Sequence, residues 1–158
     1  MSAQVSGTFD AVLSLDNALP HLLTDEDMAH ACHEMRKVAG STGVLLASTR
    51  DYDAVFVERP SSEAPRRRTE ASGREAVTFQ LWHWINEDRY QVRHFTLTRS
   101  HTTWSVTERR ALYRAWTRSQ LTRLFRQAGC ATVRWLMPAE TGYYQPIVDA
   151  TGTTHSGR

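Results

Sequence analysis

The apolar positions of this chain change their spacing several times, and each change marks an element. The first run, Ala11 to Leu15 within "FDAVLSLDNALPHL", is short and almost continuously apolar. That pattern predicts a strand buried on both faces, as in a parallel sheet. Asp16, Asn17 and Pro20 end it. Met28, Cys32, Met35 and Ala39 then recur at helical spacing. Thr24 is placed to cap this helix, with Asp25, Glu26 and Asp27 in a first turn where the dipole favours negative charge. Gly40 supplies a stop. "GVLLAS", Gly43 to Ser48, is a second apolar run, and it breaks into the polar stretch "TRDYD". Strand, helix and strand in this order predict a right-handed parallel crossover.

The pattern then changes. "PSSEAPRRRTEASGRE", residues 60–75, has no apolar period and reads as an exposed loop, with Arg66, Arg67 and Arg68 solvated or touching phosphate. Three segments follow that are rich in Val, Thr and aromatics with partial alternation: "AVTFQLWHWI", "YQVRHFTLTR" and "TTWSVTERRALYRAW". They predict an antiparallel meander over 77–116, placed as an insertion or lid. Its aromatics Trp82, Trp84, Tyr90, Trp104 and Tyr113 are either cross-strand core pairs or a wall around a cationic group. Ser119 is read as the cap of a helix that buries Leu121, Leu124, Phe125 and Ala128 and ends at Gly129. "ATVRWLMP" and "YYQPIVDA" predict a terminal hairpin, and residues 151–158 a flexible tail. The fold class expected is α/β, with one domain over 1–150.

Composition narrows the function. A chain of 158 residues holds one domain with a real core. A net charge of +2 makes no case for a nucleic-acid partner. Cys32 and Cys130 lie too far apart for a metal motif or a disulfide framework, which fits a reducing, cytoplasmic setting. No apolar run is long enough to span a membrane, and "MSAQVSGTFD" is not a signal-peptide pattern. His30 and His33 flank Cys32 without further converging ligands, so no metal site is expected.

Two polar loops follow two parallel strands, and in open α/β sheets ligands sit outside the carboxyl ends of the strands. Asn17 can donate and accept hydrogen bonds there. His21 can orient a ligand or relay a proton, or is simply half-exposed at a helix start. Arg50 can clamp a carboxylate with two parallel bonds, or bridge to Asp51 or Asp53. Tyr52 can stack on a ligand or pack. No catalytic triad, carboxylate pair or glycine-rich phosphate loop is present. Chemistry must then come from positioning, or from a cofactor that carries the reactive group.

"FDAVLSLDNALPHL", then a helix, then "GVLLASTRDYD", resembles the second half of class I S-adenosylmethionine-dependent methyltransferases. The likeness is greatest to small-molecule N-methyltransferases of the glycine and sarcosine type. "LFRQAGCATVRWLMPAETGYYQPIVDA" is similar to that family's terminal helix and hairpin. The resemblance implies a Rossmann-like sheet of which this chain supplies strands four to seven, the last antiparallel. It places Leu15, Asp16, Asn17 and His21 beside the cofactor's methionine end and the methyl acceptor. Arg50 matches an arginine that holds a substrate carboxylate, and Tyr52 shares its motif. The implied cofactor is S-adenosylmethionine, and the implied acceptor is a small molecule, an amine or amino acid. By the same resemblance the family's cofactor-cradling first half, roughly a hundred residues on usual domain sizes, is expected before Phe9. The chain alone is then expected to self-associate through the bare edge of its first strand and to bind the cofactor poorly. The alternative is a non-catalytic remnant or interaction module that pairs with a partner chain.

Overall fold

The computed structural model describes residues 7–69 and 73–152. The chain divides into two compact units, Met1–Ala54 with Trp116–Arg158, and Val55–Ala115.

The first unit is built on a mixed sheet. β1 (Ala11–Ser14) pairs in parallel with β2 (Val44–Ser48), Leu13 opposite Leu46. β8 (Ile147–Thr151) lies antiparallel on the other side of β2, and β7 (Thr132–Leu136) lies antiparallel outside β8. The order is β1-β2-β8-β7, which sets the expected parallel pair beside the expected terminal hairpin. Thr151, read as the start of a tail, closes β8 instead, and the rest of that tail from 153 on falls outside the described residues.

β1 is less buried than its apolar run suggested. Leu13 is 58% exposed, Ala11 is exposed too, and Val12 and Ser14 are half-buried. The physical reason is position. β1 is an edge, and no strand among the described residues pairs with its second side.

Helix α1 (Asp25–Val38) joins β1 to β2. Its cap is as expected, since the Thr24 hydroxyl accepts the Asp27 N–H at 3.0 Å. Met28 and Cys32 are fully buried on its inner face. The turn into β2 needs Gly43, where a Cβ would come within 1.8 Å of the Ala39 carbonyl oxygen. Helix α3 (Arg118–Gln127) packs beside α1. Its cap is Thr117, not Ser119. The Thr117 hydroxyl accepts the Gln120 N–H at 3.2 Å while the Gln120 side chain accepts the Thr117 N–H at 2.9 Å. This reciprocal pair satisfies two donors at once, which a cap at Ser119 would not. Leu121, Leu124 and Phe125 then enter the core, each worth about 1.5–3 kcal/mol of burial. Trp116 is also buried there, its Nε1–H donating to the Leu22 carbonyl at 2.9 Å. A short α4 (Pro138–Thr141) links β7 to β8. Helix α2 (Tyr52–Glu58) carries the chain from this unit into the next.

The second unit is a four-stranded antiparallel sheet, order β3-β4-β5-β6. β4 (Glu75–Trp84), β5 (Arg89–Ser100) and β6 (Thr103–Arg114) form the expected meander. β3 (Ser62–Thr69) is a correction, because this stretch was read as a loop. The register slips between Glu63 and Arg66, a bulge that takes in Pro65 on an edge strand where its missing N–H costs no ladder bond. Ion pairs knit the polar strand down: Arg66 to Glu63 at 2.7 Å, and Arg67 and Arg99 both to Glu75. Tyr90 stacks on Trp82 at 4.7 Å and on Tyr113 at 5.5 Å, and contacts Trp84 at 4.9 Å. These four aromatics are cross-strand neighbours of one another, whereas Trp104 is 47% exposed. Among the described residues no helix is long and apolar enough to cross a membrane.

Candidate functional site

Because β1 and β2 are parallel, their carboxyl ends lie side by side, and the site is built there within the first unit. Asp16 and Asn17 follow β1 with φ of 60° and 62°. Two consecutive residues in the left-handed region are costly for anything but Gly, and Asp and Asn bear it best. Distant parts of the chain hold this turn. The Asp16 N–H donates to the Ser48 hydroxyl at 2.8 Å, and the Asn17 N–H donates to the Ser48 carbonyl at 3.2 Å. The Ser48 hydroxyl in turn donates to Gln145 Oε1 at 3.0 Å, and the Thr49 N–H donates to the Pro146 carbonyl at 3.2 Å.

Asn17 is only 5% exposed. Its Oδ1 accepts from the Arg50 N–H at 3.0 Å and from the Tyr52 hydroxyl at 3.2 Å. Two donors on one oxygen fix which way the amide points. Its Nδ2 is buried and has no partner among the described residues. Leaving such a donor unmet costs about 1–3 kcal/mol, so this is where a ligand's acceptor atom gains most.

The Asp16 carboxylate accepts a hydrogen bond from the Tyr144 hydroxyl. That bond, then partial burial and the hydroxyl of Tyr143, raises the Tyr144 phenol above its ordinary pKa. Tyr144 is nevertheless 59% exposed, and its ring lies 4.7 Å from that of Tyr143 at a tilt of 46°.

The remaining expected residues fall into three positions. Leu15 and His21 are exposed on the same loop, His21 closing a 3-10 turn over Leu19–His21 whose Leu19 and Pro20 are buried. Arg50 is half-buried and meets Asn17 through its backbone. Tyr52 is 1% exposed, and its hydroxyl donates to Asn17. Asp51 and Asp53, the alternative partners considered for Arg50, are bridged by Arg118 at 3.0 and 3.2 Å. Sequence reasoning gave no role to Ser48, Arg118, Tyr144 or Gln145. The available signal was the polar "YYQP" tip before β8, which the strand order carries to the end of β2. Among the described residues no cluster of His, Cys, Asp or Glu is suited to a metal ion.

Solved structures share this architecture. The sugar N-methyltransferase KedS8 from Streptoalloteichus sp ATCC 53650 matches 97% of this chain with a TM-score of 0.75 at 17% identity. CalS10 from Micromonospora echinaspora, an amino pentose methyltransferase solved with S-adenosylmethionine bound, matches 96% with a TM-score of 0.72 at 20% identity. The chain has a methyltransferase-like fold. DesVI from Streptomyces venezuelae carries the same architecture, with a TM-score of 0.79 over 96% of the chain at 13% identity. The methyltransferase-like chain spans 60% of KedS8 and 61% each of CalS10 and DesVI. No family model and no curated protein matches the sequence.

Proposed function

We propose that this chain contributes the acceptor side of an S-adenosylmethionine-dependent N-methyltransferase acting on an amine of a small molecule, an amino sugar in particular. The observation that carries the reading is the buried, unpartnered Nδ2 of Asn17 at the carboxyl ends of β1 and β2, in a fold shared with sugar N-methyltransferases. The cofactor, when bound, supplies a methyl group on a positively charged sulfur. Leu15, Asp16 and His21 lie on the loop that would border it. Asn17 donates from Nδ2 to a ligand acceptor atom, held in that orientation by the Arg50 N–H and the Tyr52 hydroxyl. Tyr52 therefore serves the substrate through Asn17 rather than by touching it. Arg50 offers its guanidinium to an anionic or hydroxyl group of the acceptor. His21, being exposed, passes the amine's proton to water. Methyl transfer to a neutral amine needs orientation more than a strong base, and this site is made of orienting groups.

The test is calorimetric titration with S-adenosylmethionine, followed by transfer of a labelled methyl group to an amino pentose glycoside. Binding that weakens roughly tenfold in Asn17→Gly is expected, since glycine suits the turn and removes the amide. A wild-type chain that binds neither the cofactor nor the amino pentose glycoside would exclude the reading. The open edge of β1, with Leu13 exposed, favours a second reading, a non-catalytic module that pairs with another chain. A silent titration together with a defined complex by light scattering would select it.

A further inference from the structure

We infer that the Asp16 carboxylate and the Tyr144 hydroxyl together form the element that recognises the acceptor's nitrogen, selecting a basic amine over a hydroxyl at the same position. This rests on the N-methyltransferase reading above and assigns within it the group that chooses the acceptor atom.

The geometry is deliberate in three respects. Asp16 holds its carboxylate on a left-handed backbone, a conformation that strains a non-glycine residue. The bond from its N–H to Ser48 helps maintain it. Tyr144 arrives from 128 residues away, and although 59% exposed it commits its hydroxyl to Asp16. A tyrosine left that open gains little from packing, so the contact with the carboxylate is what fixes it. A carboxylate has about four lone-pair sites, and Tyr144 takes one on Oδ1, which leaves Oδ2 without a described partner. The Tyr143 ring lies 4.7 Å from that of Tyr144 at a tilt of 46° and adds a second aromatic group beside the pair.

A carboxylate fixed by a phenol suits the charge change of N-methylation. The bond between nitrogen and methyl forms as the methyl–sulfur bond breaks, and the positive charge passes from sulfur to nitrogen. The proton on nitrogen leaves to water afterwards. A fixed carboxylate beside the nitrogen stabilises the charge as it develops. A hydroxyl acceptor would have to lose its proton first, whereas a neutral amine already carries a free lone pair.

The experiment uses the chain as it is, with tyrosine Cζ labelled with carbon-13, and two probes: the methyl glycoside of an amino pentose and its hydroxyl counterpart. The Tyr144 resonance, assigned by its loss in Tyr144→Phe, is expected to shift saturably with the amino glycoside. Binding of the hydroxyl glycoside should be at least about tenfold weaker, the size of one hydrogen bond to a charged group. Asp16→Asn tolerates the same backbone and should abolish the preference, and Asp16→Gly, which relieves the turn, should do the same. Equal binding of the two probes, no saturable shift, or a preference that survives both Asp16 variants would each overturn the assignment. A parallel titration with S-adenosylhomocysteine separates the two levels. Amine preference without cofactor binding keeps the amine site and shifts the weight to the non-catalytic reading. Cofactor binding without amine preference does the reverse.

Discussion

The Tyr52 hydroxyl donates to the side-chain carbonyl of Asn17 at 3.2 Å, joining the start of α2 to the turn that follows β1. The bond is buried, and it shares its acceptor oxygen with the Arg50 N–H. Tyr52→Phe removes the hydroxyl alone and should cost about 1 kcal/mol. Asn17→Gly also strands the Arg50 N–H and should cost about 1–3 kcal/mol despite relieving φ. Urea denaturation midpoints check both values, and an unchanged midpoint in Tyr52→Phe would show that the bond is not formed in solution.

Arg118 bridges Asp51 and Asp53 from across the same unit, with each partner's side chain about a third exposed. A surface bridge of this kind adds little stability, so Arg118→Ala should lower it by less than about 1 kcal/mol. Its effect should be local instead. Amide hydrogen exchange at residues 51–54 should speed up, while exchange in β2 and α3 stays as it was.

Hydrogen bonds from Arg93 and Arg110 push the Glu108 carboxyl down to about 2. A carboxyl lowered on folding adds stability that is present above its unfolded pKa of about 4.3. That contribution fades as pH falls from there through about 2. The carbon-13 resonance of the Glu108 carboxyl should titrate with a midpoint near 2 at low salt. Because the site is open to solvent, 1 M salt should move the midpoint upward.

Cys32 is fully buried, and burial pushes its thiol up to about 12. Cys130 is 4% exposed, and burial raises its thiol as well. Neither forms thiolate at neutral pH, so iodoacetamide should label neither in the folded chain and both in 8 M urea, as read by mass spectrometry. The sign for Cys32 follows. Its raised pKa adds stability below the ordinary thiol value near 9, and that is lost as pH rises towards about 12.

Elements with local signals were legible in the sequence. Thr24 with its acidic first turn and the paired runs of β1 and β2 needed nothing from the rest of the chain. The cap of α3 was misplaced by two residues because Thr117 and Ser119 are both good caps and only Gln120 decides between them. β3 was missed because it is polar on both faces and is set by its pairing with β4, so it has no apolar alternation to read. Within the site, Asn17 was visible as a polar break after an apolar run. The partners that hold the turn, Ser48, Gln145 and Tyr144, could not be found that way, because their contacts are set by strand order alone.

β8 is the most C-terminal strand among the described residues and yet lies inside the sheet, between β2 and β7. Synthesis runs from the N-terminus, so β1, α1 and β2 must wait as an unfinished pair of strands until Ile147–Thr151 leaves the ribosome. The Tyr143–Gln145 segment that completes the site comes just ahead of it, and the left-handed turn at Asp16 and Asn17 has its full set of partners only then. Closing contacts over such long separations is slow. The turn thus gains its partners only from the far end of the sheet, and a nascent chain halted before Gln145 would display the strained turn with nothing to hold Tyr144 against it.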